Sequence, residues 1–117
     1  MVVRQLEQAE ADRIFAALAD ATRRDIVSRV LREEASVTAL AEGYRMSFAA
    51  VQKHVAVLER AHLVTKHRRG REQLVRPDLG TIRSAAALLE EYERVWRGRM
   101  DRFGQILDET DTEGDHP

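Results

Sequence analysis

Residues 47–64, SFAAVQKHVAVLERAHLV, constrain the fold more than any other stretch of the chain. Val51, Val55 and Leu58, with Phe48 a turn earlier, recur three or four apart, the spacing of one buried stripe on a helix. The other face carries Ala49, Gln52, Lys53, Ala56 and Arg60. Ser47 stands directly before the run, where its hydroxyl can cap the free amides of the first turn. A helix that need only be soluble usually shows Glu and Lys on such a face. Slim residues flanking an amide and a cation are what a helix lying in a DNA major groove requires.

The residues on either side fit that reading. Residues 63–76, LVTKHRRGREQLVR, contain two alternating runs around Arg69-Gly70-Arg71 and predict a hairpin with a basic tip. Arg68, Arg69 and Arg71 beside a turn glycine suit a narrow minor groove, where negative potential is deepest. Charges on exposed edge strands also guard against aggregation, so the tip has two explanations. Upstream, Ser36 and Val37 read as a short link, Thr38 as the cap of a brief helix through Glu42, and Tyr44, Arg45 and Met46 as the connection into Ser47, with Gly43 a little early for the turn. Two short helices meeting across about four residues make a helix-turn-helix.

A first helix is expected over residues 6–19, with Ile14, Phe15, Leu18 and Ala19 on its apolar side. Asp20 can cap a second helix over residues 22–32, in which Ile26, Val27, Val30 and Leu31 share a side and Arg23, Arg24 and Arg29 point away. Arg23 and Arg24 can either reach phosphate or pair with Asp20 or Asp25. Pro77 ends the hairpin's second strand, and Asp78 can cap a last helix running to Asp108. In it Ile82, Ala85, Leu89, Tyr92, Trp96, Phe103 and Ile106 keep a heptad-like spacing. A helix of nearly thirty residues is about 40 Å long at 1.5 Å per residue, longer than the roughly 30 Å diameter expected of the remaining chain. Trp96, Phe103 and Ile106 would then lie wet unless a second copy of the chain covers them, and each large side chain buried is worth about 1.5–3 kcal/mol.

The overall charge of -1 conceals an asymmetry. Residues 45–76 hold eight Lys or Arg against Glu59 and Glu72, and the last ten residues hold five acids and no Lys or Arg. A phosphate backbone responds to charge within a Debye length of about 8 Å, so the local excess is what matters. There is no cysteine, which excludes disulfides and thiolate metal sites and fits a reducing cytoplasm. No apolar run approaches a membrane span or a signal peptide, so a cytoplasmic protein without a membrane partner is expected. At 117 residues the chain is one domain's worth: a DNA-binding domain with terminal dimerisation helices over residues 1–107, followed by an acidic, disordered tail over 108–117.

Taken together these stretches resemble the ArsR-type family of bacterial winged helix-turn-helix repressors. LADATRRDIV from Leu18 looks like the opening of that family's second helix, with Ala21 where Pro is usual. MSFAAVQKHVAVLERAHLV from Met46 resembles the reading helix and its exit, and RRGRE from Arg68 the wing. YERVWRGRMDRFGQIL from Tyr92 is similar to a subgroup with a Tyr and Trp pattern in its last helix. The resemblance covers residues 13–107. It implies a mainly α fold with a small β-hairpin, and a homodimer joined through first and last helices that binds inverted-repeat operators in double-stranded DNA and represses transcription. Many such proteins release DNA on binding metal, but the third-helix sites need cysteines and the last-helix sites need histidines, and this chain has neither in those places. His62 replaces the glycine usual after the reading helix, which predicts a strained left-handed residue.

The expected DNA contacts are Arg45, Ser47, Phe48, Ala49, Gln52, Lys53, His54, Arg68, Arg69 and Arg71. His54 is either near DNA, as the resemblance implies, or a structural residue hydrogen-bonded between helices. The expected dimer contacts are Ile14, Leu18, Leu89, Tyr92, Trp96, Phe103 and Ile106. No cofactor, metal or catalytic set is expected: there is no cysteine nucleophile, no glycine-rich phosphate loop and no close Ser, His and carboxylate grouping. A protein-interaction module docking through the long last helix is the competing function, and its binding would be nearly indifferent to salt.

Overall fold

The computed structural model describes residues 6–114, with side chains through residue 108, and these residues form five helices and three short strands. They run in the order α1 (Gln8–Leu18), α2 (Ala21–Arg32), β1 (Ala35–Ser36), α3 (Val37–Glu42), α4 (Phe48–Arg60), β2 (Val64–Arg69), β3 (Glu72–Pro77) and α5 (Leu79–Gly114). The chain divides after Ala85 into a helix-and-wing unit and the remainder of α5.

In the first unit, one core joins α1 to α4 and the base of the sheet. Ile14, Ile26, Leu40, Val51, Val55, Leu58, Leu63, Val64 and Val75 are all fully enclosed. Val51, Val55 and Leu58 form the expected stripe of α4, whereas Phe48 is 46% exposed and lies outside the core. Phe48 is the first residue of α4 and lines an open cleft with Val37, Thr38 and Val55. Ile14 belongs to this same core at 1% exposure, so it cannot also meet a second copy; Phe15, one position on, is the apolar residue of α1 that faces out. Leu18 is partly buried against the core. The hydrophobic spacing alone admitted either assignment, because the apolar side of α1 is wider than the strip that α2 and α4 cover.

The helix starts follow their caps. Asp20 accepts from the Arg23 amide at 3.0 Å, and Ser47 from the Ala50 amide at 3.1 Å, as the sequence predicts. The third helix starts earlier than expected: Ser36, not Thr38, is its cap and accepts from the Ala39 amide at 3.0 Å. Val37 is 5% exposed, so burying it draws the first turn back by two residues. Ala35 and Ser36 also form a strand that sequence alternation could not disclose in two residues. They pair with Val75 and Leu74, giving the sheet order β1-β3-β2.

The hairpin pairs Val64 with Pro77 through to Arg69 with Glu72, so its loop is Gly70-Arg71. Gly70 has φ 65° and Arg71 does not share the positive sign, the pattern of a type II′ turn matched to the twist of its strands. At the root, Asp78 donates its amide to the Leu63 carbonyl at 2.9 Å and accepts from the Thr81 amide at 3.2 Å, which launches α5. That helix continues to Gly114, past its expected end at Asp108. Residues 109–113 contain neither Pro nor Gly, so no residue there interrupts the backbone ladder, and only residues 115–117 of the expected acidic tail lie outside the described residues. No helix among the described residues is long and apolar enough to cross a membrane.

Candidate nucleic-acid interface

Helices α3 and α4 meet across residues 43–47, and the corner is tied by one arginine. Arg29 of α2 donates to the Leu40 carbonyl at 3.4 Å and lies 5.2 Å over the Tyr44 ring. The Tyr44 hydroxyl donates to Asp25, and burial followed by that carboxylate raises the phenol above its ordinary pKa. Gly43 makes room for the arrangement, because a Cβ there would lie 2.3 Å from Arg29 Nη1. Its backbone is ordinary αR, so close approach, not conformational freedom, is what a side chain would disturb.

The corner presents the first half of α4 to solvent. Arg45, Ser47, Phe48, Ala49, Gln52 and Lys53 are all exposed; Ala49 and Lys53 lie opposite the buried stripe of α4, whereas Phe48 and Gln52 flank it on the side of Val55. The Ser47 hydroxyl is occupied by its cap, so its remaining lone pair and its proton are what it can offer a ligand. On the wing, Arg68, Arg69 and Arg71 are exposed as well, and the Arg68 Nε donates to the Gly70 carbonyl at 3.3 Å. Between α4 and the wing lies an open cleft of about 270 Å³ lined by Val37, Thr38, Phe48, Gln52, Val55, Lys66, Arg71, Glu72 and Gln73. Lys66, Gln73 and Thr38 were not among the expected site residues. Strand alternation placed Lys66 on the hairpin, but only the folded structure shows that it lines the same cleft as Arg71. Lys66 is also paired with Glu59 at 3.4 Å.

Arg23 and Arg24, left open between phosphate and a carboxylate at Asp20 or Asp25, turn their guanidinium groups to the end of α1. The Arg23 guanidinium donates to the Ala17 carbonyl at 2.6 Å and the Ala16 carbonyl at 3.2 Å, and Arg24 donates to the Leu18 carbonyl at 2.7 Å. Both cover the free carbonyls at the end of α1, where positive charge is favoured. His54 does not stand with Gln52 and Lys53: its Nδ1 is 3.3 Å from Arg23 Nη1 and 3.9 Å from Asp20, and its side chain is 22% exposed. The structural alternative weighed for this residue is the one the geometry supports.

Comparison with known proteins agrees with this architecture. No family model matches the chain. The HTH-type transcriptional regulator Rv2034 of Mycobacterium tuberculosis is 35% identical over 89% of this chain and 92% of its own length. An ArsR-like transcriptional regulator from Rhodococcus sp. RHA1 superposes with a TM-score of 0.72 at 33% identity, over 84% of this chain and 92% of that one. The chain belongs to the ArsR family of transcriptional regulators. A solution structure from Mycobacterium bovis, described as a homodimeric winged helix-turn-helix DNA-binding domain, has the same fold at a TM-score of 0.61 and 22% identity, covering 80% of this chain and 91% of that one.

In this ArsR family member the last helix is largely exposed over residues 86–108. Leu89, Tyr92, Val95, Trp96, Phe103, Ile106 and Leu107 are between 49% and 64% exposed, and Met100 is 38% exposed. The five last-helix residues expected at a dimer contact are all among them. Its charged residues pair along the helix, Arg94 with Glu91 and Arg97 with Glu93, and Arg99 lies 5.8 Å over the Trp96 ring. These neighbours satisfy charge locally and leave the apolar side chains in water.

Proposed function

We propose that this ArsR family protein is a cytoplasmic repressor, not an enzyme, and binds an inverted-repeat operator as a homodimer through α4 and the wing. The observation that carries the reading is the exposed set Ala49, Gln52 and Lys53 on the first half of α4, beside a wing tip bearing Arg68, Arg69 and Arg71. Gln can bond adenine bidentately and Lys can donate to guanine, and the small Ala49 lets the helix approach the base edges. Arg45 and the wing arginines supply phosphate or minor-groove contacts, which add affinity with little sequence choice. The exposed apolar face of the last helix supports the homodimer, since an exposed apolar row of this kind favours association. A two-fold dimer reads two half-sites of opposite sense, hence the inverted repeat.

Selection of bound duplexes from a random pool, followed by isotherms at several salt concentrations, tests the reading. A selected inverted repeat, bound with a log-log salt slope of about -0.9 per neutralised phosphate, is the expected result. Binding that ignores salt, or no enrichment of any sequence, overturns it and returns the last helix to a protein-docking role.

A further inference from the structure

We propose that His54 is a positioning residue for DNA reading: with Arg23 it fixes the attitude of α4 on the corner between α1 and α2, and its ring touches neither base nor phosphate. The inference rests on the DNA-reading assignment above and adds the part that holds the reading face in place.

A guanidinium is a rigid planar fork with five donors and no acceptor. Two edges of the Arg23 fork are held by the last turn of α1, on the Ala17 carbonyl at 2.6 Å and the Ala16 carbonyl at 3.2 Å. With these fixed, the direction of Nη1 is fixed too, and it points at His54 Nδ1 at 3.3 Å. Since the arginine can only donate, the contact is a hydrogen bond in the tautomer that carries its proton on Nε2 and leaves Nδ1 as the acceptor. The backbone of the same arginine is anchored as well, its amide donating to Asp20 at 3.0 Å. One residue of α2 thus joins the end of α1, the cap of α2 and the middle of α4.

Position around the helix separates His54 from the reading face. At 3.6 residues per turn, His54 lies about 200° from Gln52 and about 100° from Lys53. When Gln52 faces a groove, His54 faces the protein. Base contacts require side chains held within about 0.5 Å and 10–20° of their productive geometry, so a helix free to rock about its buried stripe loses them. Val51, Val55 and Leu58 are apolar and non-directional, and they fix how deep α4 lies more firmly than its rotation about its own axis. The directional bond to Arg23 supplies the missing constraint.

The test compares His54→Leu, which keeps bulk and removes the acceptor, with His54→Asn, which puts an acceptor oxygen close to the place of Nδ1. Both are made in the full chain. Operator and scrambled duplexes are titrated at several salt concentrations, and amide exchange along α4 is measured in the free protein. The expected result for His54→Leu is a loss of operator affinity of about ten-fold, roughly one base contact, with the salt slope unchanged and faster exchange in α4. His54→Asn should stay within about three-fold of wild type, an acceptor lost and replaced being nearly neutral. Equal losses in both variants with the slope lowered by about one unit would place the ring on a phosphate and overturn the proposal. So would a His54→Leu protein that matches wild type in binding and exchange. If the wild type binds no duplex, the DNA reading fails by itself, and the exchange comparison still decides whether His54 holds α4.

Discussion

Replacing His62 with glycine should stabilise the protein without altering DNA binding. The end of α4 is a Schellman turn: the Leu63 amide donates to the Leu58 carbonyl at 3.0 Å and the His62 amide to the Glu59 carbonyl at 3.0 Å. Leu58 and Leu63, the apolar pair that accompanies such a turn, are fully buried. The motif requires a left-handed residue between them, and His62 supplies it with φ 60°. A residue with a Cβ loses about 1–2 kcal/mol in that conformation. Glycine removes this cost but has a freer unfolded chain, which takes back about 0.4–1 kcal/mol. The imidazole itself is exposed, so its removal costs little. The net gain for His62→Gly is about 0.5–1 kcal/mol, or about 2–6 °C in Tm for a chain of this size. Thermal melts at one fixed protomer concentration measure it, with His62→Ala as the comparison because alanine keeps the Cβ and hence the strain. If alanine and glycine raise Tm equally, the imidazole and not the backbone was the source of instability, and the reasoning is wrong.

The remaining predictions concern the two faces of the molecule and one cap. Gln52→Ala should flatten preference at one or two operator positions and leave the salt slope nearly unchanged, whereas Arg69→Ala should weaken all duplexes alike and lower the slope by about one unit; isotherms on operator and scrambled DNA separate them. Wild type should sediment at twice the chain mass at micromolar concentration, and Trp96→Glu should give monomer or aggregate; a wild-type monomer with a folded last helix would contradict the dimer. Zinc, cadmium or arsenite added to a preformed complex should not release DNA, since the chain has no thiol and no histidine between residues 79 and 108; stoichiometric release would refute this. The Arg23 amide, and after it the Arg23 guanidinium, hold the Asp20 carboxyl below its ordinary pKa despite some desolvation. A folded pKa below the unfolded one stabilises the fold above the ordinary aspartate range and is lost as pH falls through the folded value. The advantage of wild type over Asp20→Asn in chemical denaturation should therefore be present at neutral pH and vanish in acid.

Much of the fold was legible in the chain because helix signals are local. The stripe of Val51, Val55 and Leu58, the caps Asp20, Ser47 and Asp78, and the turn at Gly70 each depend on residues within a turn or two of one another. The left-handed backbone at His62 was expected from the family resemblance, in which glycine is usual at that place. The exposure of Gln52 and Lys53 was legible in the chain, since the periodicity that buries Val51 and Val55 leaves both outside the buried stripe.

What periodicity could not decide was how far each apolar face is covered and which side chains meet across long gaps. Ile14 and Phe15 both lie on the apolar side of α1, and only packing against α2 and α4 buries the first and exposes the second. Ser36 became a cap and a strand residue together because Val75 and Leu74, nearly forty positions away, arrive beside Ala35 and Ser36. Arg23 and His54 are thirty-one residues apart, and neither carries a local mark of its partner. A helical pattern states which side of a helix is apolar; the meeting of a donor and an acceptor depends on the distance and angle between elements. That is why the exposed side of α4 could be named from the chain, while the contact between Arg23 and His54 appeared only when α1, α2 and α4 had closed on one another.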